Sequence, residues 1–167
     1  MRTLIIYGTK KGTTETCANK LNGYMTGDVD MINIKDNKGI DLNIYNTVII
    51  GSPVYVGMFI KEIKIFMENN KSNLLNKKIG LFMCCMSQGE MAEKQFKENV
   101  PKEILNTAKI KSNFGGEFKF SKMNFFEKTI IKIIAKKDKN LGKIDGKTDI
   151  NRISEENIRI FAKTLGM

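Results

Sequence analysis

The chain has 167 residues and a net charge of +10, from 28 Lys and Arg against 18 Asp and Glu, and it has no histidine. Because Ser-His-Asp catalysis, Cys-His catalysis and His-containing metal sites need an imidazole, these chemistries are excluded, and we expect no metal site. The positive charge favours an acidic partner, an anionic membrane surface or nucleic acid, and it does not choose among them.

The length suits one domain over residues 1–167 and is short for two. Apolar runs such as "NTVIIGSPVYVGMFI" are interrupted and fall short of the roughly 20 residues that span a membrane. The first residues, "MRTLIIYG", lack the cleavage site of a signal peptide. Three cysteines do not make a disulfide framework, and the adjacent Cys84 and Cys85 are interpreted as small apolar residues at a strand end. We therefore expect a soluble, cytoplasmic protein.

Strand patterns and helix patterns alternate along the chain. Short apolar runs predict strands at residues 3–7, 28–34, 47–50, 77–86 and 110–120. Apolar residues at helical spacing predict helices at 14–25, 59–67, 92–99 with 101–108, and 154–165, the last with Ser154 as its N-cap. This alternation predicts an α/β fold, a doubly wound five-stranded parallel sheet with helices on both faces.

The loop after the first strand combines a glycine with two lysines and three hydroxyl groups. Where a strand leads into a helix, free backbone N–H groups and the helix dipole favour an anion, and Gly12 allows it to approach closely. The candidate phosphate ligands are Thr9, Lys10, Lys11, Gly12, Thr13 and Thr14. Taken alone, the loop is equally well interpreted as a polar turn that binds nothing.

Two stretches resemble flavodoxins. "IIYGTKKGTTETCA" is similar to their phosphate loop, "DLNIYNTVIIGSPVYVGM" is similar to their second, flavin-flanking loop, and the two loops come in the same order. The resemblance covers nearly the whole chain and implies a flavodoxin-like fold with FMN at the point where the strand order reverses. It implies that residues 9–14 hold the phosphate. The other implied contacts are Ser52, Pro53, Val54, Tyr55, Val56 and Gly57 in the second loop, and Met86, Ser87, Gln88 and Gly89 in the third.

Two residues of the second loop have implied roles. Tyr55, or its neighbour Val56, would lie against one face of the flavin, where an aromatic ring stacks on the isoalloxazine. A tyrosine that only caps the sheet edge is the alternative. Gly57 would let the peptide that follows it turn its carbonyl toward flavin N5. A plain turn glycine is the alternative here.

The segment after the fifth strand, about residues 121–152 and called the basic insertion below, is amphipathic. Residues 119–147 carry nine lysines against Glu127, Asp138 and Asp145, a local net charge of +6. Apolar residues at helical spacing predict an amphipathic helix. They are Met123, Phe126, Ile130, Ile133 and Ile134, with Phe125 and Ile131 widening the apolar surface.

The stretch "GGEFKFSKMNFFEKTIIKIIAKKDKN" resembles the branch of flavodoxin-like proteins that includes the menaquinone-dependent protoporphyrinogen dehydrogenase. The chain departs from that branch in its second loop and in a shorter stretch after the fourth strand, which leaves the substrate open. The basic insertion either packs on the domain with solvated lysines, or docks on an anionic membrane, a quinone, a porphyrin or an acidic redox partner. Nucleic acid is not expected, because no recognised binding module accompanies the lysines.

These observations favour an FMN-dependent electron-transfer flavoprotein, a flavodoxin-like redox carrier. The alternative is an enzyme, a quinone-dependent protoporphyrinogen oxidase or dehydrogenase. A flavin-free binding module is the less favoured third interpretation. No residue is assigned as catalytic. The expected location is the cytoplasm, with peripheral contact at the inner face of the membrane if the basic insertion docks there.

Overall fold

The computed structural model describes residues 1–36, 39–137 and 144–166. Its strands are β1 (Arg2–Tyr7), β2 (Asp28–Asn33), β3 (Thr47–Tyr55), β4 (Met58–Phe59), β5 (Lys78–Cys84), β6 (Ile110–Asn113), β7 (Glu117–Phe118) and β8 (Ile150–Asn151). Five of them form a parallel sheet in the order β2-β1-β3-β5-β6, which confirms the predicted fold class. The short β4 returns antiparallel on the end of β3.

Helices cover both faces of this sheet. They are α1 (Thr13–Tyr24), α2 (Lys61–Asn69), α3 (Lys71–Leu74), α4 (Gly89–Asn99), α5 (Lys102–Thr107), α6 (Phe125–Lys137) and α7 (Glu155–Leu165). Helices α1 and α7 pack on one face, and α2, α4 and α5 pack on the other. Successive strand residues point to opposite faces, so Leu4 and Ile6 enter one layer while Ile5 enters the other. Burial on both faces explains why the strand is continuously apolar.

An aromatic cluster fixes the spacing between the sheet and α7. The ring of Phe82 stacks on Phe114 at 4.7 Å and meets Phe161 edge-on. Gly51 in the neighbouring strand leaves room for this ring, because a Cβ there would lie 2.1 Å from Phe82 Cζ. The glycine that follows the predicted third strand is therefore a packing position inside β3.

The prediction of a single strand at residues 110–120 is wrong. Strand β6 ends at Asn113, and the chain turns at Gly115, whose φ of 79° and close approach to the Arg152 carbonyl leave no space for a Cβ. Strand β7 then pairs antiparallel with β8. The chain thus enters and leaves the basic insertion through a two-stranded ladder outside the main sheet.

The apolar face predicted for the basic insertion is only partly buried. Phe126 is 77% exposed and Ile133 is 52% exposed, while Ile131, which widens the predicted apolar surface, is buried. Phe125 is exposed as well. The side chain of Ile134, a residue of the predicted apolar face, lies outside the described part of the structure, as do residues 138–143. No helix within the described ranges is both long and apolar enough to cross a membrane.

A hydrogen bond joins the end of β1 to the start of α1. Tyr7, buried at the carboxyl end of β1, donates its hydroxyl to Glu15 Oε1 at 3.0 Å. Burial, together with this hydrogen bond, raises the pKa of Tyr7 to about 12. The interaction holds the two elements that flank the first loop.

We predict that Tyr7→Phe reduces the pH dependence of stability in alkaline solution. The pKa of Tyr7 is raised on folding, so its stabilising contribution is complete below about pH 10 and is lost as the pH rises toward about 12. Urea unfolding at several pH values should therefore give a smaller decline for Tyr7→Phe than for the original chain in this window. Equal declines would contradict the assignment.

Candidate functional site

A cleft of about 250 Å³ lies at the carboxyl edge of the sheet. Its walls come from the three predicted loops, from Gln95 of α4, from residues 116–119 and from the basic insertion. The predicted residues that line it are Lys11 and Thr13 of the first loop, residues 53–57 of the second, and Met86 and Ser87 of the third. The structure thus brings together side chains from loops that are distant in sequence, as the parallel topology requires.

Other predicted residues support these walls. Thr9 Oγ1 accepts the Gly12 N–H at 3.0 Å, so it closes the first loop on itself. Ser52 is fully buried, with its hydroxyl donating to the Pro53 carbonyl and accepting the Ile60 N–H. Gln88 and Gly89 are exposed where α4 begins. These positions shape the loops without lining the cleft.

The first loop has the features of an anion site. Gly12 adopts the left-handed conformation with a φ of 88°, and nothing lies within 4 Å of the position a Cβ would take. The N-cap of α1 is Gly12, which has no side chain that could cap the helix. The hydroxyl of Thr14 is buried beside the Cys84 thiol, whose pKa it acts to lower, and within the described part of the chain no hydrogen bond of good geometry satisfies it. An unpartnered buried hydroxyl beside free helix N–H groups suits a phosphate oxygen.

The other donors of this loop hold carboxylates of the same chain. Thr13 Oγ1 donates to Glu117 Oε1 at 2.8 Å, and Lys11 Nζ lies 2.6 Å from Glu127 Oε1. The hydrogen bond from Lys11 lowers the pKa of Glu127. Glu117 also pairs with Lys119 at 2.7 Å. The loop therefore binds negatively charged oxygens in the structure itself.

The second loop is a tight hairpin in which Tyr55 pairs with Met58. Its two turn residues, Val56 and Gly57, have φ values of 50° and 80°. This sign pattern matches the turn that fits the twist of two-residue hairpins, but a β-branched residue rarely adopts it. Such strain costs on the order of 1–3 kcal/mol. Val56 is also 73% exposed, so solvent covers an apolar side chain at the rim of the cleft.

Tyr55 is the aromatic side chain of this hairpin. Burial raises the pKa of Tyr55, with a smaller contribution from nearby Glu127. Lys10 Nζ lies 4.6 Å from the centroid of the tyrosine ring, a cation–π distance. Lys10 thus lies against the second loop, whereas sequence analysis placed it only with the phosphate. Stacking of Tyr55 on a flavin stays a prediction.

Two buried amides of α4 were missed in the sequence analysis. Gln95 Oε1 accepts the Cys85 thiol at 2.9 Å, next to the third loop. Asn99 donates to the Gly57 carbonyl and accepts the Phe59 N–H, across the second loop. A signal for them existed, because they share the buried face of α4 with Ala92 and Phe96. Amides on the apolar face of a helix indicate specific partners.

The third loop is fixed from β6. Asn113 Nδ2 donates to the Ser87 carbonyl at 2.7 Å, and its Oδ1 accepts the N–H groups of Cys85 and Gly115. A hydrogen bond with the Cys17 thiol and burial raise the pKa of Cys84. A neutral, buried thiol is consistent with the interpretation of Cys84 as a small apolar residue.

Comparisons with known proteins agree with this architecture. The family model described as "Flavodoxin domain" matches residues 4–145. A Megasphaera elsdenii flavodoxin in its two-electron reduced form is 19% identical, with a TM-score of 0.51 over 68% of this chain and 82% of that one. Flavodoxin 1 of Bacillus cereus is 18% identical, with a TM-score of 0.49 over 68% and 84%. A flavoprotein of Lactobacillus acidophilus in complex with FMN is 21% identical, with a TM-score of 0.48 over 69% and 91%.

The curated proteins include no significant sequence match. The Megasphaera elsdenii structure supports the fold, and the family model, which extends from β1 into the basic insertion, identifies the family. The chain therefore belongs to the flavodoxin domain family.

Proposed function

We propose that this protein is an FMN-dependent electron-transfer flavoprotein that works as a redox carrier. The observation that carries the proposal is the loop at the start of α1, where the buried Thr14 hydroxyl makes no hydrogen bond of good geometry among the described residues. Membership of the flavodoxin domain family supports it. When bound, FMN would supply one- and two-electron transfer.

The residues of the cleft suit the parts of FMN. Residues 9–14 would hold the phosphate, with the lysines as counter-charge. The second loop, with Tyr55, and the third loop, with Met86 and Ser87, would border the ring system. The apolar lining excludes water around the ring, and the backbone groups of the loops fix its orientation.

A carrier needs a surface on which its partner docks. Exposed Phe125 and Phe126 lie at the start of α6, followed by Lys128, Lys132 and Lys136 on the same helix. Apolar and basic groups together suit an acidic redox partner, because complementary charge accelerates encounter and apolar contact retains it. We infer that α6 contributes this docking surface.

A second candidate is the quinone-dependent oxidation of protoporphyrinogen. The observation in its favour is that Ile130 and Ile131 of α6 line the same cleft as the flavin-flanking loops, so an apolar ring could bind beside the flavin. An anaerobic assay with protoporphyrinogen and menaquinone separates this enzyme from a carrier, since only the enzyme would turn over. A flavin-free binding module is the third candidate, and it requires that the purified protein bind no FMN.

We predict that the purified protein binds FMN and that Thr14→Val weakens this binding by roughly 10- to 100-fold. The loss corresponds to one hydrogen bond to a charged group, about 1.5–3 kcal/mol. Oxidised flavin absorbs near about 375 and 450 nm, so fluorescence or absorbance titration gives the Kd. Without FMN, the variant should be no less stable, because the hydroxyl it removes makes no hydrogen bond in the described structure.

Two controls separate a phosphate contact from a general defect. Thr107→Val, at an exposed position of α5, should leave the Kd for FMN unchanged. Riboflavin, which lacks the phosphate, should bind Thr14→Val and the original chain with nearly equal affinity. Failure to bind FMN would overturn the proposed function, and an unchanged Kd in Thr14→Val would overturn the assigned role of this residue.

If the basic insertion docks on a membrane, we predict that it prefers anionic lipid to neutral lipid. The original chain should co-sediment with phosphatidylglycerol vesicles more than with phosphatidylcholine vesicles. Replacing Lys128, Lys132 and Lys136 by Gln should weaken this binding by roughly 100-fold, at about 1 kcal/mol for each lysine near the surface. The control is the same replacement at Lys97, Lys102 and Lys109, outside the insertion.

The vesicle experiment has two outcomes that contradict membrane docking. One is equal binding to anionic and neutral vesicles. The other is an equal loss in both triple variants, which would mean that net charge alone governs binding. Either result would leave an acidic redox protein as the partner that binds the basic insertion.

A further inference from the structure

Gln95 brings an amide nitrogen without a partner to the wall of the cleft. The residue belongs to the buried face of α4, is 7% exposed, and lines the cleft. Its Oε1 accepts the Cys85 thiol at 2.9 Å, whereas its Nε2 donates no hydrogen bond within the described ranges. A primary amide carries two N–H donors, so this side chain keeps donor capacity for a molecule that fills the cleft.

A chain of hydrogen bonds fixes the Gln95 amide in place. The Ser87 N–H donates to Cys85 Sγ at 3.3 Å, and the thiol in turn donates to Gln95 Oε1. The backbone carbonyl of Gln95 accepts Asn99 Nδ2 at 2.8 Å, which ties down the same turn of α4. This network assigns the oxygen of the Gln95 amide to Cys85 and leaves the nitrogen as its unpartnered end.

Most of the surface that lines the cleft near this amide is apolar. The apolar side chains include Pro53, Val54, Met86, Ile130 and Ile131. In such surroundings an amide N–H without an acceptor costs free energy, and a ligand that supplies an acceptor removes this cost. A few placed polar groups in an apolar cleft are also what fixes the orientation of a ligand. Gln95 is therefore placed to recognise an acceptor atom on an apolar ligand.

The Thr14 hydroxyl is a second polar group that the protein leaves without a hydrogen bond of good geometry. It lies on α1, and α1 and α4 pack on opposite faces of the sheet. The two groups therefore approach the carboxyl edge of the sheet from opposite sides. Together they suit an elongated ligand that has an anionic group at one end and a carbonyl-bearing apolar ring at the other.

We propose that Gln95 is a binding residue whose Nε2 donates a hydrogen bond to a carbonyl oxygen on the ring system of bound FMN. The inference rests on the proposed function, because that function supplies the ligand. The flavin ring is planar and mainly apolar, and its carbonyl oxygens are acceptors that match the donor of Gln95. The amide thus selects a ring with an acceptor at this position, independently of the contacts to the phosphate.

The first test compares Gln95→Met with the original chain, both stripped of bound ligand. Methionine keeps the length of the side chain and removes the donor. The Kd values for FMN and for riboflavin should both rise by roughly 3- to 10-fold, the loss of one hydrogen bond between neutral groups. Thr14→Val, in contrast, should weaken FMN alone, because riboflavin has no phosphate. Fluorescence titration measures all of these Kd values.

The vibrational spectrum of the bound flavin separates a direct hydrogen bond from a structural role of Gln95. A donor lowers the stretching frequency of the carbonyl that it binds, so Gln95→Met should raise the frequency of one flavin carbonyl band. Cys85→Ala is the matched control, because it removes the hydrogen bond between Cys85 and Gln95 and leaves the amide present. This control should keep the carbonyl band and nearly the original Kd.

Gln95→Ala is the second variant, and it carries the test if the methionine variant does not fold. An unchanged carbonyl band in the Gln95 variants, or a loss of affinity confined to FMN, would overturn the inference. An equal change in Cys85→Ala would overturn it as well, since Gln95 would then act only by holding the third loop. Each of these results leaves the proposed function standing if FMN binds, whereas absence of FMN binding overturns both.

Discussion

Strands β1, β3 and β5 share one parallel register, in which Tyr7 lies beside Gly51 and Gly51 lies beside Phe82. Because these neighbouring strands run in the same direction, their carboxyl ends emerge together, and the three loops that follow them meet at one edge. The helices on both faces bury the strands and leave this edge as the place where backbone groups remain available. The three walls of the cleft that these loops supply follow from this arrangement.

The parts of the site that depend on local pattern could be predicted from the sequence. Apolar runs and helical spacing located the sheet and its helices, and the glycine and hydroxyl groups at residues 9–14 singled out a loop that lies at the cleft. The amide of Asn99 could not be assigned a partner, because its hydrogen bonds cross from α4 to a turn about forty residues earlier. Nor could Glu117, which contacts Thr13 from a strand that sequence analysis merged with β6.

The basic insertion shows why amphipathic pattern alone predicts a helix better than its orientation. Spacing identified α6 correctly, yet among its described side chains Ile131 is buried while Phe126 faces solvent. A helix outside the main sheet takes its orientation from the surface it covers. Here that surface is a cleft with charged edges, and the ion pair between Lys11 and Glu127 fixes one side of the helix against the first loop.

The carboxylates of Glu117 and Glu127 also make the first loop a competitive site. Both carboxylates belong to the same chain as the loop. Glu117 accepts a hydrogen bond from Thr13, and Glu127 forms an ion pair with Lys11. A ligand on a short flexible tether acts at an effective concentration on the order of millimolar. The affinity measured for an external anion therefore reports how much more strongly the loop binds that anion than it binds these carboxylates. Mutations far from the loop can change that affinity through the tether, without changing a single contact to the anion that binds.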